Sequence, residues 1–323
     1  MTTLSADPAD RPGTSTASSS GLIGAVEAGG TKFRAAVFAG DGAVTGPAGQ
    51  GGASPKPVAE IRIDTTTPDA TLDTIADFFA DHDIDALGIA SFGPLIVDRR
   101  SPDYGTMAPT PKPGWTGARI LDRLSEATGA PAEIQTDVEA AAVAEQRLGA
   151  GLGYESVAYV TVGTGVGVGV VRGDEVLRGR DHLELGHIPI QRHADDLDFA
   201  GVCPFHGDCL EGLVSGPALL ERCGQPAEDL DRDDPVWDIV ADYLAQLACV
   251  ITWAFSPDRI LFSGGVGANA HLEDRLRAAT AQRLGGYSVS HADNGDLVAT
   301  AGLGNDAGLV GAALLGASLL PRT

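Results

Sequence analysis

Two glycine-threonine hairpins, half a chain apart, restrict the possible folds more than any other feature. Residues Leu22 to Phe38 (LIGAVEAGGTKFRAAVF) read as two short apolar strands around Gly29-Gly30-Thr31-Lys32, a turn that needs glycine dihedrals. Residues Ser156 to Arg172 (SVAYVTVGTGVGVGVVR) repeat the design around Gly163-Thr164-Gly165. One such turn alone is a plain hairpin. Two, each opening one half of the chain, read as an internal duplication with a nucleotide's phosphate chain held between them by backbone N–H groups. Neither is a common phosphate loop. The first lacks G-x4-G-K-[ST], and Gly163-x-Gly165-x-Gly167 runs on as strand instead of opening a helix, so the dinucleotide fingerprint fails.

A chain of 323 residues exceeds one average core, so two domains are expected. The balance of 22 basic against 44 acidic residues, a formal charge of −22, argues against nucleic-acid and anionic-membrane partners. No apolar run is expected to reach the length of a bilayer span, and Val160 to Val171 is too glycine-dense for a helix. Residues 1–20 are rich in Ser, Thr, Asp and Pro without the regions of a secretory signal, and read as a disordered tail.

Between the hairpins, Thr71 to His82 has helical periodicity and Ala86 to Ala90 is a short buried strand ending at Ser91-Phe92-Gly93-Pro94, a position where α/β folds carry ligands. Tyr104 to Trp115 (YGTMAPTPKPGW) reads as a lid or sugar-contacting loop. Glu133 to Gln135 leads into Thr136-Asp137-Val138-Glu139 and an alanine-rich helix over Ala140 to Leu148. Asp137 thus sits at a strand-to-helix junction, where a carboxylate caps the helix or serves as a base. Asp234 and Pro235 open a long helix ending at Phe255. Arg259 to Phe262 is a strand running into Ser263-Gly264-Gly265-Val266, and a terminal helix over Leu309 to Leu319 is expected to pack back on the first domain.

Glu184-Leu185-Gly186-His187 is followed by Cys203-Pro204-Phe205-His206-Gly207-Asp208-Cys209-Leu210-Glu211. The C-x2-H-x2-C spacing with an upstream histidine, His187 or His193, supplies four ligands for a tetrahedral zinc. A site of four protein ligands is closed, hence structural, and leaves no open position for a zinc hydrolase. The alternative is that Cys203 and Cys209 are ordinary buried thiols and His206 a surface residue. Glu184 and Glu211 flank the ligands, so the metal fixes a polar substrate wall. Cys223 and Cys249 read as core filler. Four cysteines used this way fit a reducing compartment, and a soluble, cytoplasmic protein is expected.

Glu27-Ala28-Gly29-Gly30-Thr31-Lys32, Thr136-Asp137-Val138, Gly163 to Gly167, Glu184 to His187, Cys203 to Glu211 and Ser263-Gly264-Gly265 together resemble, in order and over residues 21 to 320, the ROK family of sugar kinases and repressors. The Thr110-Pro111-Lys112-Pro113-Gly114-Trp115 loop and the Cys-Pro-Phe-His form of the zinc motif look most like its bacterial fructokinase branch. The resemblance implies an α/β, actin-like (ribonuclease H-like) fold of two domains with ATP and hexose in a central cleft. Residues 21–135 with 306–323 form the first domain on this reading, and 136–305 the second, which carries the zinc motif. The catalytic aspartate falls on Asp137. ATP binding falls on Gly29, Gly30, Thr31, Lys32, Gly163, Thr164, Gly165, Gly264 and Gly265. Sugar binding falls on Gly114, Trp115, Thr136, Asp137, Glu184, His187 and Glu211, and the metal on His187, Cys203, His206 and Cys209.

Magnesium accompanies the ATP, the zinc is structural, the substrate is a hexose with fructose first, and a homodimer is implied. Thr136, Glu139 and Glu27 depart from common family residues, the first two near the sugar and the third near the phosphates. Glucokinase, mannokinase or broad hexokinase specificity is the second reading. A repressor is the remote one, since repressors of the family carry a helix-turn-helix domain ahead of the first hairpin and only the short tail is seen here.

Overall fold

In the computed structural model, residues 21–40, 55–287 and 296–321 are described, so the tail expected at 1–20 lies outside them. Each hairpin founds a five-stranded sheet. The first contains β1 (Leu22–Ala28), β2 (Lys32–Ala39), β3 (Ala59–Asp64), β4 (Ala86–Ser91) and β5 (Ala132–Thr136), in the order β3-β2-β1-β4-β5. The second contains β6 (Ser156–Val162), β7 (Val166–Arg172), β8 (Glu175–Val176), β9 (Arg259–Ser263) and β10 (Val298–Thr300), in the order β10-β9-β6-β7-β8. In each, the hairpin strands pair antiparallel, the first strand takes a parallel partner on its other side, and a further parallel strand follows. The duplication read from two turns is therefore a duplication of whole sheets.

The helices are α1 (Pro68–Ala80), α2 (Ile120–Thr128), α3 (Asp137–Leu148), α4 (Leu210–Val214), α5 (Gly216–Cys223), α6 (Val236–Phe255), α7 (Gly264–Gly267), α8 (Glu273–Leu284) and α9 (Ala307–Ala317). They form layers with the sheets. Residues of α1 and α2 pack on the outer face of the first sheet with Phe33, Leu87 and Ile89, and α4, α5, α6 and α8 cover the outer face of the second. Between the sheets lie α3 and α9, sharing one core with Ile23 and Ala90 of the first sheet and Val157 and Leu261 of the second. The terminal helix thus lies against β1 and β4, as expected, and also against α3.

This central layer is thin. A Cβ at Gly311 of α9 would stand 2.1 Å from the Ala140 carbonyl oxygen of α3, and one at Gly88 of β4 would stand 1.9 Å from the Ala312 carbonyl oxygen. Backbone meets backbone there, which only glycine permits.

The expectation that no apolar run reaches a bilayer span needs correction, because α6 is long and apolar enough by length and composition. It is a core helix of the second half: Trp237, Tyr243, Leu244, Leu247 and Ile251 are fully buried, which is why its sequence is apolar on most sides. Its start falls at Val236 with Pro235 at the cap position, one residue later than expected, and Asp234 just ahead of the cap accepts from the Val236 N–H at 2.9 Å.

Candidate active site

The parallel strands set the catalytic row. Glu27 pairs with Ala90, and Ser91 with Thr136, so the carboxyl-terminal ends of β1, β4 and β5 carry Glu27, Ser91 and the Thr136-Asp137 junction side by side. Ligands of open α/β sheets sit in the crevice beyond such ends.

At that junction the cap is Thr136, not Asp137. Thr136 Oγ1 accepts from the Glu139 N–H at 3.4 Å and Glu139 Oε2 accepts from the Thr136 N–H at 3.1 Å, a complete capping box. Arg178 pairs with the same Glu139 oxygen at 3.2 Å. Glu139 is 2% exposed and Thr136 3% exposed. The Thr136 hydroxyl, expected beside the sugar, here accepts in the cap and keeps its own O–H to donate. Asp137, freed from capping, is half-buried at the first helical position with Oδ1 accepting from the Val138 N–H at 2.8 Å.

Poor solvation raises the Asp137 carboxyl to about 6, against the lowering effect of the Val138 hydrogen bond. Glu27 lies nearby. Burial raises it to about 7, the Arg34 guanidinium at 3.4 Å opposing and Asp137 and Asp306 adding to the rise. Two carboxyls that resist ionisation side by side suit a divalent cation, whose charge favours both ionised forms.

Around this row the turns leave room. A Cβ at Gly30 would meet only Phe92, at 4.0 Å, and at Gly163 or Gly265 nothing within 4 Å. Thr65 braces the first turn, its hydroxyl donating to the Gly29 carbonyl at 2.7 Å and its N–H to the Thr31 carbonyl at 2.9 Å. Thr31 and Lys32 are exposed at its tip. Gly264 has φ +83 and follows β9 directly, opening the short turn α7. Of the glycines expected at the phosphates, Gly30, Gly163 and Gly265 thus face open space, whereas Gly29, Gly165 and Gly264 lie against neighbouring atoms.

On the second half, the ligand atoms of His187, Cys203, His206 and Cys209 all lie within 4.8 Å of one another. Sγ of Cys203 is 3.8 Å from His187 Nδ1 and 3.7 Å from His206 Nδ1, and Sγ of Cys209 is 3.6 Å from His187 Nδ1. Metal–sulfur bonds of about 2.3 Å and metal–nitrogen bonds of about 2.0 Å put tetrahedral S···N edges at about 3.5 Å, so the four fit one soft cation. His193 is not among them: its Nδ1 accepts from the Asp195 N–H at 3.2 Å. His187 turns Nδ1 inward and leaves Nε2 3.9 Å from Glu184 Oε2.

The model of the ROK family matches residues 23–318. This chain belongs to the ROK family. It is 41% identical over 300 residues to the fructokinase of Pediococcus pentosaceus, covering 93% of this chain and 99% of that protein. The ROK hexokinase of Thermus thermophilus is similar at a TM-score of 0.70 and 29% identity, over 91% of this chain and 97% of the other. The ROK family glucokinase of Streptomyces griseus, solved in complex with glucose and AMPPNP, is similar at 0.69 and 26%, over 92% and 100%. The two sheets are therefore the two halves of the actin-like sugar kinase fold.

One residue of this ROK chain stands elsewhere than expected, and another has a second contact. Trp115 is fully buried, packed between Phe33, tilted by 35°, and Phe92, edge-on, with its indole N–H donating to the Thr66 carbonyl at 2.9 Å. Its side chain anchors the proline loop in the core, so the sugar contact read from it is corrected. The loop as a whole is docked, with Met107 buried and Leu95 bridged to Met107. Its exposed residues are Pro109, Pro111, Pro113 and Gly114. Glu211 Oε2 accepts from the Val166 N–H at 2.9 Å, and a Cβ on Gly165 would stand 2.7 Å from that oxygen. Glu211 therefore braces the second phosphate hairpin as well as edging the metal cluster. His182 was missed by the sequence reading, although one of only seven histidines standing two residues before Glu184 was a signal.

Proposed function

We propose that this ROK chain transfers the γ-phosphoryl of ATP to D-fructose, giving fructose 6-phosphate. The observation that carries this is the 41% identity to a fructokinase along 99% of that protein, against 29% and 26% for the hexokinase and glucokinase structures. Phosphoryl transfer asks a protein for positioning and charge neutralisation more than for covalent help. Bound ATP supplies the phosphoryl group, and its magnesium spreads the developing charge.

The backbone cradle of Gly29 to Lys32, Gly163 to Gly165 and Gly264-Gly265 receives the nucleotide. Glu27, buried beside Asp137, would help hold the cation, whose charge would favour its ionised form. Asp137, off cap duty and titrating near 6, takes the proton of the primary hydroxyl, since at neutral pH it is ionised yet poorly solvated. Glu184 and His187 grip the ring hydroxyls. The four-ligand cluster holds zinc, which thiolate and imidazole prefer to hard magnesium, and the closed coordination makes it structural. Two cysteines at the metal, Cys203 and Cys209, and two outside any disulfide, Cys223 and Cys249, support a reducing, cytoplasmic setting. The homodimer implied by the family is read by sedimentation.

An ADP-release assay across fructose, mannose, glucose and N-acetylmannosamine tests the reading. Fructose should have the highest kcat/KM, with mannose and glucose as side substrates. A preference for glucose puts the chain with the glucokinases instead.

A further inference from the structure

We infer that His182 is a positioning residue for the sugar-binding carboxylate of Glu184, tying it to the backbone of the opposite half of the molecule. The inference rests on the reading of Glu184 as a sugar ligand. His182 stands on the segment that leaves β8, where Arg178 meets Glu139 of α3 in the layer between the sheets. The Leu95 N–H donates to His182 Nε2 at 3.1 Å, so Nε2 bears no proton. Nδ1 therefore carries it in the neutral ring, and it lies 3.3 Å from Glu184 Oε1, within reach of a hydrogen bond once the carboxylate turns to meet it.

The ring is held on every side. It is 10% exposed, and a Cβ on Gly93 would touch it at 3.5 and 3.6 Å. Leu95 is 2% exposed and its neighbour Ile96 donates to the Thr106 carbonyl at 3.0 Å, so the N–H that orients the ring belongs to firmly packed backbone. Glu184, by contrast, is 52% exposed with three side-chain torsions to order. Its carboxylate spans His182 on one oxygen and His187 on the other, at 3.3 and 3.9 Å. One wall of the pocket is thus referenced both to the metal cluster and to the loop beyond β4.

Steady-state kinetics and imidazole NMR test this together. His182→Ala should raise the fructose KM about ten- to hundred-fold, the range of one hydrogen bond to a charged group, with the ATP KM unchanged. His182→Asn, whose amide nitrogen replaces Nδ1, should recover part of that loss. The double variant His182→Ala with Glu184→Gln should cost no more than Glu184→Gln alone; additive losses overturn the inference, as does an equal rise in both KM values. Independently of any substrate, long-range 15N spectra of the wild type should show His182 as the Nδ1–H tautomer with a resonance that moves in Glu184→Gln. An Nε2–H tautomer, or an unmoved resonance, overturns it. A wild type that phosphorylates no hexose but gives the expected spectra refutes the assigned function and leaves the His182–Glu184 link standing.

Discussion

Asp137 shows how a functional residue opposes the fold that holds it. Its carboxyl titrates near 6 in the folded chain against 3.8 for an ordinary aspartate, so the native state binds this proton more tightly than the unfolded chain does. The favourable contribution is complete below about 3.8 and is lost as pH rises through about 6, and at neutral pH the ionised group is a cost to stability. Asp137→Asn should therefore raise the melting temperature by a few degrees at pH 7.5 while lowering kcat ~10²–10⁴-fold. A variant that keeps most of its turnover removes Asp137 as the base. In the wild type, kcat/KM should fall on the acid side of about 6, and because Glu27 titrates beside it near 7, that limb reports the pair. The sequence placed Asp137 at the junction but left its role open, because Thr136-Asp137-Val138-Glu139 offers adjacent capping residues and only the observed box shows which one caps.

At the scale of elements, the two glycine hairpins are not equivalent. Gly30 faces open space, so Gly30→Val should raise the KM for ATP with little change for fructose. Gly165 abuts Glu211, so Gly165→Val should raise both, since its side chain displaces a residue beside the four-ligand cluster. Equal effects of the two substitutions on the fructose KM exclude this difference. Cys209→Ser extends the same link. One metal ion per chain should be lost, and with it the placement of α4 and Glu211, so thermal stability and fructose affinity fall first and ATP affinity follows in part. Metal analysis with calorimetry for each ligand checks it, and a metal-free protein with intact fructose affinity refutes the idea that the metal shapes the wall. The ligand spacing was legible because metal geometry is local in sequence. The brace between Glu211 and the hairpin was not, since it joins residues 45 apart through a single side chain. Trp115 was misplaced for a related reason: an aromatic in a proline loop has the same composition whether it faces a ligand or plugs a core.

For the whole molecule, the repeated hairpin was enough to foresee two matching halves, but not that α3 and α9 would lie between them. An alanine-rich helix and a glycine-rich one carry no amphipathic stripe to say that both faces are covered, since small residues fit against any neighbour. Replacing Gly311 by Val should destabilise both sheets together, because its new atoms have only the Ala140 backbone to displace, and a single lowered unfolding transition by calorimetry is expected. Two separate transitions, only one of them shifted, count against it. The contact also sets the mechanics of the cleft. Where Gly311 meets Ala140 no side chain intervenes, so this point of the seam cannot give by being squeezed, and any swing of the lobes has to pivot about it: small rotations there become larger displacements at the rim, where ATP and sugar must be brought together.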